Sequence, residues 1–391
     1  MGLVMPFVMI VFAIADTIAI GSSVQISLAL GERKIKLTNE IFTSCVIIII
    51  AISFILGLVA YFGIEFFLQF MKADEDIKAL CVEYARVFAL FIPVISLSYA
   101  FDNYLRICNK GVYVMWVGIF FVLCNIFLVY LFVAVLELKL FGAALAMCLG
   151  LSLQTLLSVI PFLSKKLILK FYKPKLEFKR FLRILYNGSS EFFGNASGSL
   201  FLIFANAVLL KLANSLGVAA YAVILYIDTL IISVLMATNS SLQAPLSYFF
   251  AKKDKNKISQ IITLLILLNA IFSLFAFVII SIFRVELSGL FEKENNFIAF
   301  VSSALLLFSF NYLFAWFNLL ASAILTAFDK PTLSLIVSLM TNLIVPLCFL
   351  AILPLFLGVS GVFLVSVFAE FIVLILSFYC LKHIKKSIAL G

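Results

Sequence analysis

The groups able to carry chemistry are few and lie inside long apolar runs. Asp16, Asp102, Glu191, Asp228 and Glu370 are the main carboxylates so placed. An ionisable side chain at bilayer depth costs roughly 3 kcal/mol or more on insertion scales, so each requires a partner or a task. Glu191, Asn195, Gly198 and Asn206, with Ser199 beside them, fall on one face of a helix. That polar stripe headed by a carboxylate reads as a proton or cation site. The competing reading is a carboxyl near a helix end, satisfied by Ser189 or Ser190 or capping its own helix. Asp228 with Asn239 and Gln243 forms a second stripe, and Asp16 with Ser23 and Ser27 its counterpart earlier in the chain. Both aspartates read equally well as held by nearby Ser, Thr17 or Thr229. The cation-coupling candidates are therefore Glu191, Asp228 and Asp16. The substrate-binding candidates are Asn195, Asn206, Asn239, Gln243, Gln25 and Tyr221, with Tyr99 and Asn103 weaker nominations. Asp102 and Arg106, one turn apart, read as an intrahelical ion pair. Glu370, one turn from Ser366, reads as a packed, protonated carboxyl. Asn125 and Asn342 read as interhelical hydrogen-bond formers.

Other chemistries lack their residues. The single His383 follows the last apolar run among Lys382, Lys385 and Lys386, so neither a His-based metal site nor a His general base assembles. The seven cysteines are odd in number, have no C-x-x-C spacing and sit mostly in apolar segments, as packing residues do. No cofactor is expected beyond a coupling proton or sodium ion, and no enzyme activity.

The elements that must position these groups are membrane helices. Of 391 residues, 65% are hydrophobic and 12% charged, far from a soluble globule. Apolar runs of about 20 residues, enough to cross a hydrocarbon core of about 30 Å, recur along the chain. They fall near 3 to 28, 41 to 70, 84 to 108, 112 to 136, 141 to 163, 188 to 213, 217 to 250, 258 to 283, 297 to 326, 332 to 356 and 359 to 381, eleven in all. The fold class is an all-α integral membrane protein. The net charge of +9 has no folded basic domain to form a nucleic-acid footprint, so it is a topology signal. Of the 28 cations, 21 fall in one set of alternate loops, including Arg33, Lys110, Lys170, Lys253, Lys330 and Lys382. The positive-inside rule places that set and the C-terminus in the cytoplasm.

The two halves repeat. Gly31-Glu32-Arg33-Lys34 corresponds to Ala251-Lys252-Lys253-Asp254 at an offset of 220, Lys110 to Lys330 at 220, Asn125 to Asn342 at 217 and Gly142 to Gly361 at 219. Matched residues share a side of the membrane, so the repeats are parallel, an arrangement known among secondary transporters. The expected division is a five-span lobe at 1–163, a cytoplasmic amphipathic linker at 164–186 and a six-span lobe at 187–391. In that register the span at 188 to 213 has no partner, and one helix is expected to be missing from the first half. The linker interleaves Lys166, Lys170, Lys173 and Lys175 with Leu167, Ile168, Leu169, Phe171 and Tyr172. It reads as a connector lying on the inner leaflet, or as a regulatory or partner site.

Three motifs carry a family resemblance. Gly21-Ser22-Ser23-Val24-Gln25-Ile26-Ser27-Leu28-Ala29-Leu30-Gly31-Glu32-Arg33-Lys34 resembles the end of the second helix in the multidrug and toxic compound extrusion (MATE) family. Asn187-Gly188-Ser189-Ser190-Glu191 followed by Gly217-Val218-Ala219-Ala220-Tyr221, then Gln243-Ala244-Pro245-Leu246-Ser247-Tyr248, resembles that family's seventh and eighth helices. The resemblance implies a twelve-helix, two-lobed antiporter of the bacterial inner membrane, exporting amphipathic, often cationic compounds against protons or sodium ions. It departs from the family where the first helix, carrier of a coupling Asp in many bacterial members, has no match. The tenth-helix equivalent offers Asn311 and Asn318 in place of a carboxylate. The expected partners are small-molecule substrates and the lipid bilayer, without nucleic acid, and the expected state a monomer. Two other readings stay open: a lipid-linked saccharide flippase of the wider superfamily, and a truncated paralogue that does not transport.

Overall fold

The computed structural model describes residues 5–69, 75–164, 166–175 and 177–390, without the side chains of 5–11, 66–80, 195 and 384–390. Lys72 and Lys165, and the side chains of Lys78, Asn195, Lys385 and Lys386, lie outside the described set. The elements are α1 (Met5–Gly31), α2 (Ile35–Gln69), α3 (Glu75–Ile107), α4 (Gly111–Val129), α5 (Lys139–Leu163), α6 (Phe178–Ala251), α7 (Lys255–Gly289), α8 (Asn295–Ser309), α9 (Tyr312–Ala327), α10 (Pro331–Leu339) and α11 (Val345–Leu390). Short π turns, Tyr130–Val135 and Met340–Ile344, prolong α4 and join α10 to α11. No strand occurs among the described residues.

Among the described residues, eight helical stretches are long and apolar enough to cross a bilayer, or nine when α8 and α9, bent by 47° at their junction, count as one span. Two of these are double. At 74 residues, α6 would be about 110 Å long if straight, several times the hydrocarbon thickness. It breaks where Ala213 and Asn214 leave helical geometry, Asn214 with φ 53°. The stretch from α10 through α11 breaks at Gly358, φ 57°, a left-handed conformation that costs glycine nothing. Dividing the nine at these two breaks gives eleven crossings, matching the sequence reading in number and place. Arm lengths explain the agreement, because each break falls where an apolar run reaches bilayer thickness.

The backbone repeats as the sequence does. Left-handed residues recur at Arg33 and Lys253, and at Asn109 and Asp329, both 220 apart; Lys139 and Gly358 are 219 apart. Each ends or opens a helix, so the helix ends follow the register of the charged loops.

The chain divides into two compact units, lobe one (Met1–Gly188) and lobe two (Ser189–Gly391). Lobe one is packed around Phe42, which stacks on Phe162 at 5.2 Å and meets the Tyr104 edge at 5.2 Å. The Tyr104 hydroxyl shares a 2.7 Å hydrogen bond with Ser22. The first turns of α6 cross α1 at two glycines. A Cβ on Gly21 would sit 2.0 Å from the Ile184 carbonyl oxygen, and one on Gly188 would sit 1.9 Å from that of Thr17. Backbone meets backbone there, as small residues permit between membrane helices. In lobe two, Phe250 stacks on Phe328 at 4.4 Å, and Leu246, Leu320, Ile324 and Val337 close the same core. α4 buries only Val117 along its length and turns Trp116, Phe120, Leu123 and Phe127 outward, as a lipid-facing helix does.

The linker differs from its sequence reading. Residues 178–186 are already helical, α6 starting at Phe178 rather than near Asn187. The stretch before it is a strap fixed to lobe one. The Lys170 N–H donates to Asn39 Oδ1 at 2.8 Å and the Tyr172 N–H to Thr43 Oγ1 at 2.9 Å. Leu167 and Leu169 are buried, and the Phe171 ring lies 5.0 Å from that of Phe42. Burial beneath the strap raises the Cys108 thiol above its usual range, against the opposing pull of backbone contacts with Leu169 and Ile168. The interleaving of cations and apolar residues was legible; the polar side chains of α2 that fix the strap were not, because they lie about 130 residues away.

Candidate functional site

Lobe two carries two half-buried carboxyls with neutral partners. Asp228 stands on the second arm of α6 (215–251), where its carboxyl lies within electrostatic range of the Tyr312 phenol. Its Oδ1 is enclosed and has no hydrogen-bond partner. Tyr312 is positioned by the bend between α8 and α9, and its carbonyl accepts a hydrogen bond from Ser273 of α7. Its neighbour Asn311 also holds an enclosed Oδ1 without a donor. The bend keeps its backbone paired in short turns: the Asn311 N–H donates to the Phe308 carbonyl, and the Phe310 and Asn311 carbonyls accept from Leu313 and Phe314.

Glu370 of α11 lies within electrostatic range of Asp228. Its Oε2 accepts from Asn318 Nδ2 at 2.5 Å, and the same amide donates to the Glu370 carbonyl at 2.9 Å. Ser377 donates to Asn318 Oδ1 at 2.7 Å, which completes the amide's partners. The sequence reading paired Glu370 with Ser366 and placed Asp228 beside Thr229. The structure corrects both: Thr229 donates to its own helix at Leu225, and the real partners sit on α9, sequence-remote and reached only through packing.

Glu191 lies inside the first arm of α6, thirteen residues beyond Phe178, so it cannot cap its own helix. Ser190, its other expected partner, faces α9 and α10: its hydroxyl lies 3.4 Å from that of Thr326, and its carbonyl accepts from Ser338 at 2.9 Å. Among the described residues no hydrogen bond or ion pair is found for the half-buried Glu191. Asn206 is half-buried on the same arm. Asn239 is buried and accepts from Asn269 Nδ2 of α7 at 3.0 Å; Gln243, one turn on, is buried as well. Tyr221 packs in the apolar core of lobe two beside Phe363, ring centroids 6.4 Å apart. Asn269 and Tyr312 were missed by the sequence reading. The polar Asn269 within an apolar run, one turn before Ser273, was the available signal.

In lobe one, Asp16 and Gln25 are half-buried and both engage neighbours. The Tyr99 ring lies 5.7 Å from that of Phe12, one turn before Asp16, and Asn103 donates to the Tyr99 carbonyl at 3.0 Å. Asp102 and Arg106 form the expected pair at 2.9 Å. Asn125 reaches across to the Ala146 carbonyl at 3.5 Å, whereas Asn342 bonds Ser338 within its own turn and is not interhelical. Asn342 lies within the π turn Met340–Ile344, whereas Asn125 lies in regular α4. No group of three or more His, Cys, Asp or Glu residues placed to hold a metal ion occurs among the described residues.

A multi-span helical protein in two repeated units, with half-buried carboxyls on its helices, has the build of a secondary transporter. The sequence model of the MatE family matches residues 1–131 and 191–352, and the chain belongs to that family. It superposes on a crystal structure of a MATE in complex with MaL6 with TM-score 0.94 at 19% identity, covering 100% of this chain and 88% of that one. An outward-facing multidrug resistance MATE family transporter of the MOP superfamily gives 0.92 at 20% identity, with the same coverage. A MOP superfamily transporter from Pyrococcus furiosus, described as having reverse polarity of its binding pocket, gives 0.91 at 20% identity, covering 99% of this chain and 88% of that one. These likenesses establish the fold. No curated protein sequence matches the chain.

Proposed function

We propose that the chain is a cation-coupled exporter of amphipathic, often cationic compounds, with Asp228 and Glu370 of lobe two as its coupling carboxyls. The observation that carries this reading is the pair of enclosed acceptor oxygens without donors, Asp228 Oδ1 and Asn311 Oδ1, beside the bent helix at Tyr312. Enclosed oxygens of this kind are satisfied by a proton or by a small hard cation. Glu191, on the first arm of α6, is the third carboxyl of this lobe open to the same role. Asn206, Asn195, Gln243 and Gln25 remain the groups nominated for the solute, with Asp16 as lobe one's own acidic group. Asn239 and Tyr221 support the site from behind, through Asn269 and the apolar core.

A flippase of lipid-linked saccharides would need Arg or Lys at depth for phosphate. Here Arg106 is neutralised by Asp102 and Arg86 by Glu65. The membrane is taken to be the bacterial inner membrane, with the lysine-rich loops and the C-terminus in the cytoplasm and the protein a monomer.

The test is ethidium export from proteoliposomes driven by an imposed proton or sodium gradient. Asp228→Asn keeps shape and loses the charge, and is expected to lower gradient-driven export by at least about tenfold while Asp228→Glu keeps part of it. Glu191→Gln in the same assay decides whether that carboxyl shares the task. Wild-type export by Asp228→Asn would sink the assignment.

A further inference from the structure

The strap of lobe one has an empty counterpart in lobe two. At the repeat offset of 220, the α2 residues Lys36, Asn39, Glu40 and Thr43 correspond to Asn256, Ser259, Gln260 and Thr263 of α7. On α2 the two strap-binding side chains, Asn39 and Thr43, are covered. On α7 all four counterparts are exposed, and they line a shallow groove with Leu264 and Leu267. The chain also repeats the strap itself. Lys165-Lys166-Leu167-Ile168-Leu169 corresponds at 220 to Lys385-Lys386-Ser387-Ile388-Ala389, with both lysines and the isoleucine identical.

We propose that the exposed face of α7 at Asn256, Ser259, Gln260 and Thr263 is a seat for the chain's own C-terminal segment, 385–391, lying along it as a second strap.

Register supplies the pairing. Lys170, whose N–H is bonded to Asn39, corresponds to Leu390, so the Leu390 N–H meets the Ser259 hydroxyl. Length makes room for it. The second arm of α11, 359–390, is helical over about 48 Å, well beyond a hydrocarbon core of about 30 Å. Its lobe-one counterpart α5 stops at 25 residues and hands over to the strap. The tail therefore has two positions, continuing α11 as here or crossing to α7. In the second it ties the end of α11 to the start of α7, as the first strap ties α5 to α2. That contact stiffens the lysine-rich end of lobe two. The inference stands apart from the assignment of coupling carboxyls.

The experiment is disulfide cross-linking in membrane vesicles, in a background with the seven cysteines replaced by serine or alanine. Ser259→Cys with Leu390→Cys is oxidised with copper phenanthroline, and cross-linked peptides are identified by mass spectrometry. Asn39→Cys with Lys170→Cys is the positive control. The expected result is a cross-link within one chain for both pairs. A control cross-link without the α7 pair overturns the proposal, as does an α7 pair that forms only between differently tagged copies. A control that fails removes its basis. An orthogonal measurement uses chains lacking 385–391: amide exchange at 255–263 should rise by about tenfold while 35–43 stays unchanged. Unchanged exchange at both sites counts against the seat.

Discussion

The two lobes share a frame and differ in what they do with carboxyl groups. Lobe one places Asp102 beside Arg106, so its charge is balanced by a partner one turn away. Lobe two places Asp228 beside Tyr312 and Glu370 beside Asn318, neutral groups that can hydrogen-bond a carboxyl but cannot balance its charge. A balanced carboxylate has little use for a further cation; one with only neutral partners still lacks its counter-charge. The left-handed turns recur at 220 and 219 in both lobes while the polar interiors do not. The repeat therefore conserves where helices begin and end, and leaves each interior free to take its own chemistry.

The contrast can be broken most severely at the glycines. Gly188→Ala sets a methyl group against the Thr17 carbonyl, where neither backbone can yield. It should cost about 3 kcal/mol or more, the upper end of overpacking, and remove the monodisperse peak in fluorescence-detected size exclusion. Gly198→Ala, ten residues on in lobe two, has nothing within 4 Å of the new Cβ and should elute as wild type. Equal behaviour of the two would refute the crossing of α1 and α6.

Within lobe two, Asn318→Ala strips Glu370 of its amide donor and should lower stability by about 1–3 kcal/mol. In a thermal-melt double-mutant cycle, adding Glu370→Gln should restore part of that loss, whereas additive losses would show the contact to be energetically idle. A smaller effect is expected at the strap: Asn39→Ala leaves the Lys170 N–H without its acceptor, for about 1 kcal/mol, and should speed proteolysis between 166 and 177. Unaltered cleavage would mean that Leu167 and Leu169 hold the strap alone. The smallest belongs to Arg106→Gln. Its ion pair is about a quarter exposed, and solvent screening leaves it about 0–1 kcal/mol, so a melting shift as large as that of Asn318→Ala would erase the contrast between the lobes.

Much of the fold was legible because its signals are local. Run length fixed the crossings, and the charged loops gave the 220 register that Arg33 and Lys253 keep in their backbone angles. The candidate site was legible by residue and not by partner. Asp228 could be nominated as an acid at depth, yet Tyr312 is 84 residues away and appears beside it only once α8 and α9 bend. Glu191 reads as a possible cap because the apolar run starts near 188; the helix itself begins ten residues earlier, on turns rich in lysine and arginine. Helical periodicity locates a face along its own helix and says nothing of which neighbour covers it.

The glycine crossing also bears on where this chain can be divided. Lobe one ends at Gly188, inside α6, so the turns 178–188 that fill the groove of Gly21 lie beyond the strap. A gene cut within the strap would leave the first fragment with Gly21 uncovered and give the second an orphan piece of the other's packing. Two fragments meeting near Asn214, where the helix is already broken, would keep the turns 178–188 on Gly21 but would take Phe201, Ala205 and Leu209 out of the core of lobe two. For co-expression of separate halves, neither the strap nor the kink is a clean seam, because α6 contributes packed turns to both lobes.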